Sequence, residues 1–571
     1  MSTSAADKYP ALVKFLQHSD ESYHLEQPTE EIREALIGWY ALNRRRLPWR
    51  GDAPPYNGST AGINAVDSKA AAAVVPPPPP AAPGAGVSAY GVWVSEIMCQ
   101  QTRVEAVIPY WEAWMQAFPT VEALAAATEE EVNARWAGLG FYRRARMLHE
   151  ASRQVVGELG GVLPTSVDEL MRIKGIGRYT AGAVASISAG VAAPVVDGNV
   201  LRVLSRLCAI AANPKEAKFC ADGKLAWRLA EQLVRAGGGA QPGELNQALM
   251  ELGATLCAPG GSGVDGRDPL APFYASAAIG RDAHRAHRRG ELGALLDEAG
   301  GPHGVRSCPV CRHGAPALLE ALRSLAAEGC TLSEEGAASL VHQALPLPVP
   351  KKARREERLA VAALFCAAAA TPESGGGGGG GGDESGGWRW LLVRRPEGGL
   401  LAGQWEFPHA VVAEDKEALP DDPGAAARCA ATTRLLQAAE VDPAGLGERA
   451  ALPAPLEHIF SHVRHTMHVE HARAPAPPAG GAAASSSAQW TAGRRSYRWM
   501  DEAQMKEVGV TAGVLKVIAA VRAARGEDGE GGTAAKRPAA KRKGGAAAAG
   551  SETDARQPKL SSFFKKKLDD A

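Results

Sequence analysis

Glu96 lies in YGVWVSEIMCQQTRVEAVIPYW, Tyr90–Trp111, where Val94, Ile97, Met98, Val104, Val107, Ile108 and Trp111 recur at helical spacing. A carboxyl among such neighbours is desolvated and holds its proton longer than one in water. That is what a general acid needs near neutral pH. Asp197 is a second carboxylate. It immediately precedes Gly198 and the run Val200, Val203, Leu204, Leu207, so it is suited to cap that helix. The positive helix end favours its ionised form. Ahead of it, Gly175-Ile176-Gly177 can take backbone angles that other residues avoid. The hairpin can turn its amides outward at a helix start, where they can hold a phosphate. Tyr179, Ala183 and Ile187 then fall on one side of the next helix. Taken singly, each group has a plainer reading as a solvated glutamate, an ordinary cap or a core tyrosine.

The chain that must position these groups has 571 residues, too many for one core. Its 63 basic and 63 acidic side chains cancel, so any basic surface for a polyanion has to be local. Nine cysteines without a secretory signal point to a reducing compartment. No stretch has the roughly 20 apolar residues that span a membrane. The chain reads as soluble, intracellular and monomeric.

Residues 1–28 read as a flexible N-terminus, and 29–257 as an all-α module carrying the site stretches. Within the module, residues 51–88 include five prolines, Pro76–Pro80, a linker composition rather than a core. Residues 258–335 read as an insert and possible metal region, and 336–358 as a linker with the extended LPLPVP. From Leu359 to Val521, short strand patterns such as LAVAALFC and WRWLLVRR surround a helical piece at about Ala425–Glu440. That is an α+β domain. It is interrupted by eight glycines, Gly375–Gly382, and by an Ala/Pro/Ser tract at 473–488. Residues 522–571 have the composition of a disordered tail.

Four stretches occur in one order: SEIMCQQTRVEAVIPYW, GLGFYRRARMLH (Gly138–His149), the glycine hairpin with Asp197, and NQALMELGATLC (Asn246–Cys257). Together they resemble the MutY type of adenine DNA glycosylase, in the helix-hairpin-helix superfamily. The resemblance covers about Glu31–Cys257 and again Leu359–Val521. It implies a multidomain fold, with an all-α glycosylase module followed by an α+β Nudix-like domain. A base inside a duplex must be flipped out before it can be reached. Breaking a purine glycosidic bond leaves negative charge on the base and positive charge on the sugar. An acid should protonate the purine and an ionised carboxylate should face the sugar, as in glycoside hydrolysis. The resemblance gives these roles to Glu96 and Asp197. Relatives similar to endonuclease III carry a lysine nucleophile where Tyr179 stands. Tyrosine cannot form a Schiff base, which implies a monofunctional enzyme using water, with Tyr179 hydrogen-bonded near the acid. Similarity also marks Trp49, Arg50 and Gln247 as pocket residues, Gln247 standing where some relatives have Glu. It marks Gln101, Thr102, Leu139 and Phe141 as residues that wedge into the stack or contact the opposite base, and Gly175 and Gly177 as DNA-binding. Phe141 is usually Tyr in the family, so stacking is kept and a hydroxyl contact is lost.

Members of this family usually hold a 4Fe–4S cluster on cysteines spaced C-x6-C-x2-C-x5-C, thiolates being the expected ligands. Here Cys257 has the first position, and Cys308 and Cys311 come only after residues 258–307. Ala317 occupies the expected fourth position, with Cys330 the nearest substitute. Three readings stay open: a cluster on Cys257, Cys308, Cys311 and Cys330; a degraded or absent cluster; and zinc on three cysteines and a histidine such as His313.

WRWLLVRRPEGGLLAGQWEFPHA, Trp388–Ala410, resembles the Nudix-like domain that MutY proteins append. Its helix RCAATTRLLQAAE lacks the clustered glutamates that hold magnesium in Nudix hydrolases, so nucleotide hydrolysis is not expected. Phe460, Ser461 and His462 match the FSH loop that checks for 8-oxoguanine opposite the target adenine. In the tail, KRPAAKRK (Lys536–Lys543) reads as a nuclear import signal. Gln557, Leu560, Phe563 and Phe564 resemble the box that docks on the sliding clamp of replication. The expected function is excision of adenine mispaired with 8-oxoguanine or guanine in duplex DNA, in the nucleus. The alternatives are an endonuclease III-like pyrimidine glycosylase and a non-catalytic DNA lesion-binding protein. Tyr179 and the FSH loop argue against the first.

Overall fold

The computed structural model describes residues 4–57, 87–298, 303–325, 331–349, 354–367, 388–396, 403–414, 424–460, 463–475, 489–508 and 510–526. They form two compact units, one of residues up to 126 with 147–350, the other of 127–146 with residues from 351 onward. Among the described residues no helix is long and apolar enough to cross a membrane.

The first unit is helical. Its main helices are α1 (Pro10–Gln17), α2 (Thr29–Asn43), α3 (Ala89–Met98), α4 (Val104–Ala117), α5 (Arg178–Ala189), α6 (Gly198–Leu207), α7 (Leu225–Arg235), α8 (Pro242–Ala254), α9 (Ala275–Arg288), α10 (Ala315–Leu325) and α11 (Glu334–Ala344). Local chemistry starts them. Pro10 at the first position of α1 presets φ and needs no hydrogen-bond partner. The Ser88 hydroxyl accepts from the Gly91 amide at the start of α3. Periodic apolar faces then share one core. Leu36 of α2, Leu204 of α6, Leu229 of α7 and Leu249 of α8 are all essentially inaccessible.

Three segments differ from expectation. The described part of the expected flexible terminus 1–28, residues 4–28, is not loose. Tyr9, Leu12, Phe15 and Leu16 are buried in the same core, because one face of α1 is apolar over two turns. The segment from 258 is not an insert hanging off the module. Helices α9, α10 and α11 bury Ile279, Leu318 and Val341 in that core. A Cβ on Gly280 of α9 would stand 2.4 Å from the Ala337 carbonyl oxygen, so α9 and α11 pack backbone against backbone. The expected linker 336–358 is largely taken up by the end of α11 and the start of a strand at Arg355.

Among the described residues the second unit carries nine strands: β1 (Arg355–Ala367), β2 (Trp388–Arg394), β3 (Trp405–Glu406), β4 (His409–Glu414), β5 (Ala450–Ala451), β6 (Leu456–Ile459), β7 (Val463–Arg473), β8 (Gln489–Ala492) and β9 (Arg495–Met500). The path through the sheet is β5-β7-β1-β2-β9-β8. β1 and β7 run parallel, from Arg355 opposite Val463 to Phe365 opposite Arg473. β1 is buried on both faces, which explains its near-continuous apolar run. Leu359, Val361 and Phe365 face helix α13 (Ala512–Arg525), whose Val514, Val517 and Val521 join them. Ala362 and Leu364 face the other way, in a cluster with Leu436 of helix α12 (Ala425–Ala438).

Candidate active site and metal centre

The Tyr179 hydroxyl, on the first turn of α5, donates to Glu96 Oε2 on α3 at 2.6 Å. Met250 Sδ of α8 lies 3.2 Å from the same oxygen of Tyr179. Glu96, Tyr179 and Asp197 are each half-buried, so the group is walled by protein yet reachable from one side. Burial pushes the Glu96 carboxyl up to about 7; the Tyr179 hydrogen bond opposes this, and the neighbouring Asp197 charge adds to it. Glu96 is thus a carboxyl whose pKa is raised chiefly by desolvation.

Asp197 caps α6. Its Oδ1 accepts from the Asn199 amide at 2.9 Å and the Val200 amide at 2.7 Å, and its Oδ2 from Asn199 Nδ2 at 2.9 Å. Its pKa departs from expectation in direction. Burial raises it, and outweighs the cap hydrogen bonds that pull it down. Three N–H donors still favour the ionised form at Asp197 against Glu96, which accepts a single hydroxyl.

Arg50 and Gln247 come together: Arg50 Nε donates to Gln247 Oε1 at 3.0 Å. The guanidinium also donates to the Arg45 carbonyl and to Glu251 Oε2, both at 3.0 Å, and lies over the Tyr40 ring. Trp49 packs near Trp111, ring centres 6.1 Å apart. Glu251 was not singled out from sequence. It is fully buried and receives both Arg45 and Arg50. Burial would raise its pKa, but the two guanidiniums hold the carboxyl down at about 2. Its position four residues after Gln247, one helical turn on the same face, was the available signal.

The hairpin forms as expected. Gly175 has φ +81°, and a Cβ there would stand 2.9 Å from Met147 Cε. Gly177 precedes α5 without a side-chain cap, and nothing lies within 4 Å of where its Cβ would be. Gln101 and Phe141 both have left-handed backbones, φ 55° and 50°, uncommon for such residues and concentrated at functional sites. Phe141 is half exposed, Leu139 is buried, and Thr102 bonds the Gln100 carbonyl. Leu139 and Phe141 belong to the second unit.

The metal residues sort differently from the four-cysteine expectation. Cys308 and Cys311 face His18 and His24, all four buried, with one ligand atom of each within 4.8 Å of the others. His18 Nδ1 lies 2.6 Å from the Phe15 carbonyl, and His24 Nδ1 2.8 Å from the Cys208 carbonyl. Those anchors turn the Nε2 lone pairs to the thiols, as in metal-bound histidine. His18 Nε2 has no hydrogen-bond partner among the described residues. His24 Nε2 is 3.3 Å from Cys311 Sγ. Cys257 is not in this group, and Cys330 lies outside the described residues. His313, the imidazole suggested by sequence, is exposed beside Arg312. Two thiolates and two imidazoles suit one tetrahedral zinc ion. They do not supply the four thiolates of a cubane cluster.

In the second unit a cavity is lined by Val361, Arg395, Glu406, His409, Phe460 and His465, among others. Phe460 packs edge-on to His458 and His465. Ser461 and His462 lie outside the described residues, as do Gln557, Leu560, Phe563, Phe564 and the basic tail cluster.

Residues 94–228 match the HhH-GPD superfamily of base excision DNA repair proteins, and residues 384–520 match the NUDIX domain. The human adenine DNA glycosylase is 36% identical over 511 residues, covering 88% of this chain and 77% of that protein. The Schizosaccharomyces pombe adenine DNA glycosylase is 32% identical over 450 residues, covering 78% and 82%. That of Arabidopsis thaliana is 34% identical over 474 residues, covering 79% and 58%. The chain belongs to the adenine DNA glycosylase family. Among solved structures, a thermostable thymine-DNA glycosylase aligns at a TM-score of 0.30 and 22% identity, over 40% of this chain and 86% of that one.

Proposed function

We propose that this enzyme flips out and excises adenine mispaired with 8-oxoguanine or guanine, by a monofunctional hydrolytic route. The observation that carries the reading is the Tyr179–Glu96 hydrogen bond on a carboxyl held at about 7, beside the capped Asp197. Glu96 gives its proton to a ring nitrogen of the adenine. The glycosidic bond breaks and its electron pair leaves with the base. Asp197 faces the sugar cation, and water adds to the sugar carbon with loss of a proton. Arg50 and Gln247, held by each other and by Glu251, shape the base pocket. The FSH residues Phe460, Ser461 and His462 read the opposite 8-oxoguanine. Gln101, Thr102, Leu139 and Phe141 contact the opened stack, and the amides around Gly175 and Gly177 hold the backbone.

The Cys308, Cys311, His18 and His24 group holds one zinc ion, which ties the N-terminal helix α1 to the segment before α10. The tail box at Gln557, Leu560, Phe563 and Phe564 docks on the sliding clamp, and Lys536–Lys543 directs a monomeric enzyme to the nucleus. The test is base release from a duplex with one adenine opposite 8-oxoguanine, read as alkali-dependent strand breaks. Wild type should cleave and Glu96→Gln should not. Stoichiometric borohydride trapping of a covalent DNA adduct would refute the hydrolytic route. Release of a pyrimidine instead of adenine would favour the endonuclease III-like alternative.

A further inference from the structure

We propose that this enzyme folds and works without an iron–sulfur cluster, its own side chains filling the place beside Cys257 where the family's first cluster thiol stands. A cubane cluster needs four ligands converging on one body, ordinarily thiolates. This chain separates them. Cys308 and Cys311 are committed to His18 and His24, while Cys257 sits in another group of partners.

The surroundings of Cys257 are closed by protein. The residue is inaccessible to solvent. Its Sγ is 3.4 Å from Arg206 Nη1 and 4.0 Å from His342 Nε2. His342 is held in turn by Ser276, whose Oγ is 3.0 Å from Nδ1, and by the Tyr274 ring, 4.4 Å between centres. Tyr274 donates to Asp268 at 3.0 Å. The loop after Cys257 wraps this group tightly. A Cβ on Gly263, where φ is +71°, would stand 2.4 Å from the His342 ring, and a Cβ on Gly261 would stand 2.2 Å from the Leu256 carbonyl oxygen. The backbone of this loop therefore packs directly against the residues around Cys257.

Arg206 takes over the organising task. Its guanidinium is buried, and it donates to the carbonyls of Leu345 at 2.8 Å, Cys257 at 3.0 Å, Ala258 at 2.8 Å and Pro259 at 3.0 Å. These bonds join both ends of the 258–345 segment to α6. Between the ends, α9 and α11 bury their apolar faces in the core shared by the first unit. A cluster otherwise gathers a short loop by its four bonds. Here a guanidinium and a packed helix pair gather a long one.

The full-length chain, produced with ample iron and sulfide supply and purified without oxygen, is assayed for iron, acid-labile sulfide and visible absorption. Expected are a colourless protein, well under one iron atom per chain, and unchanged unfolding after treatment with an iron chelator. Cys257→Ala should match wild type in iron content, and its base excision should persist. About four iron atoms per chain with matching sulfide and a visible band would overturn the proposal. Loss of that band in Cys257→Ala would identify the ligand. If the alanine variant fails to fold, the wild-type iron and sulfide content still decides. Iron content is read independently of base release, so this proposal and the adenine glycosylase reading can fail separately.

Discussion

Replacing Glu96 by glutamine removes a buried acid whose titration is coupled to folding. Glutamine keeps the shape and can still accept the Tyr179 hydroxyl. In the folded protein Glu96 keeps its proton up to about 7, against 4.5 for a free side chain. Between those values the folded state binds more protons than the unfolded one, so stability falls as pH rises through the window. From 4.5 to about 7, at about 1.4 kcal/mol for each pH unit, the upper limit is about 3.5 kcal/mol. Glu96 is only half-buried, and solvent screening brings the expected figure to about 1–2 kcal/mol. Wild type and Glu96→Gln should thus unfold alike near pH 4.5. At pH 8 the variant should be the more stable by that amount, although it has lost base release. Urea unfolding of both proteins at several pH values reads this directly. A constant difference across the range, or a more stable wild type at pH 8, would refute the desolvated-acid reasoning.

Tyr179→Phe removes the hydrogen bond that lowers the Glu96 pKa, so the alkaline limb of kcat/KM should move up by about one pH unit; an unmoved limb would exclude that coupling. Glu251→Gln leaves two buried guanidiniums without their carboxylate and should cost about 3 kcal/mol in urea unfolding. In wild type the stability from Glu251 is present above the ordinary glutamate range and is lost as pH falls through about 2. Gly175→Ala places a Cβ on a left-handed backbone against Met147, a local cost of about 1–2 kcal/mol. It should weaken duplex binding, measured by titration, far more than it shifts the melting temperature. His24→Ala should lower bound zinc and speed proteolysis within Pro10–Gln17, read by metal analysis and peptide mapping.

Much of the site was legible because its chemistry is local. The Gly175-Ile176-Gly177 turn, the Asp197 cap and the apolar setting of Glu96 depend on neighbours within a few residues, and sequence spacing shows those directly. The two-domain architecture was legible for the same reason, since a change from helical to strand periodicity near Leu359 is written along the chain. The Asp197 pKa was not legible. The cap donors could be counted from sequence, but the burial that outweighs them comes from the surrounding fold.

The metal residues mark the same boundary more sharply. The family resemblance grouped Cys257 with Cys308 and Cys311, because its cysteine motif is read along the chain, and residues 1–28 read only as a flexible N-terminus. The apolar face of α1 carries Leu12, Phe15 and Leu16 into the core and brings His18 with them, while the next turn adds His24. Arg206 meanwhile holds the Cys257 loop apart through backbone carbonyls, which have no sequence signature at all. The sequence by itself determined the hairpin turn, the Asp197 cap and the order of the domains, all set by contacts between near neighbours. Only the tertiary structure decided which thiols and imidazoles share a site, because burying the apolar faces of distant helices against one another is what brings those residues together.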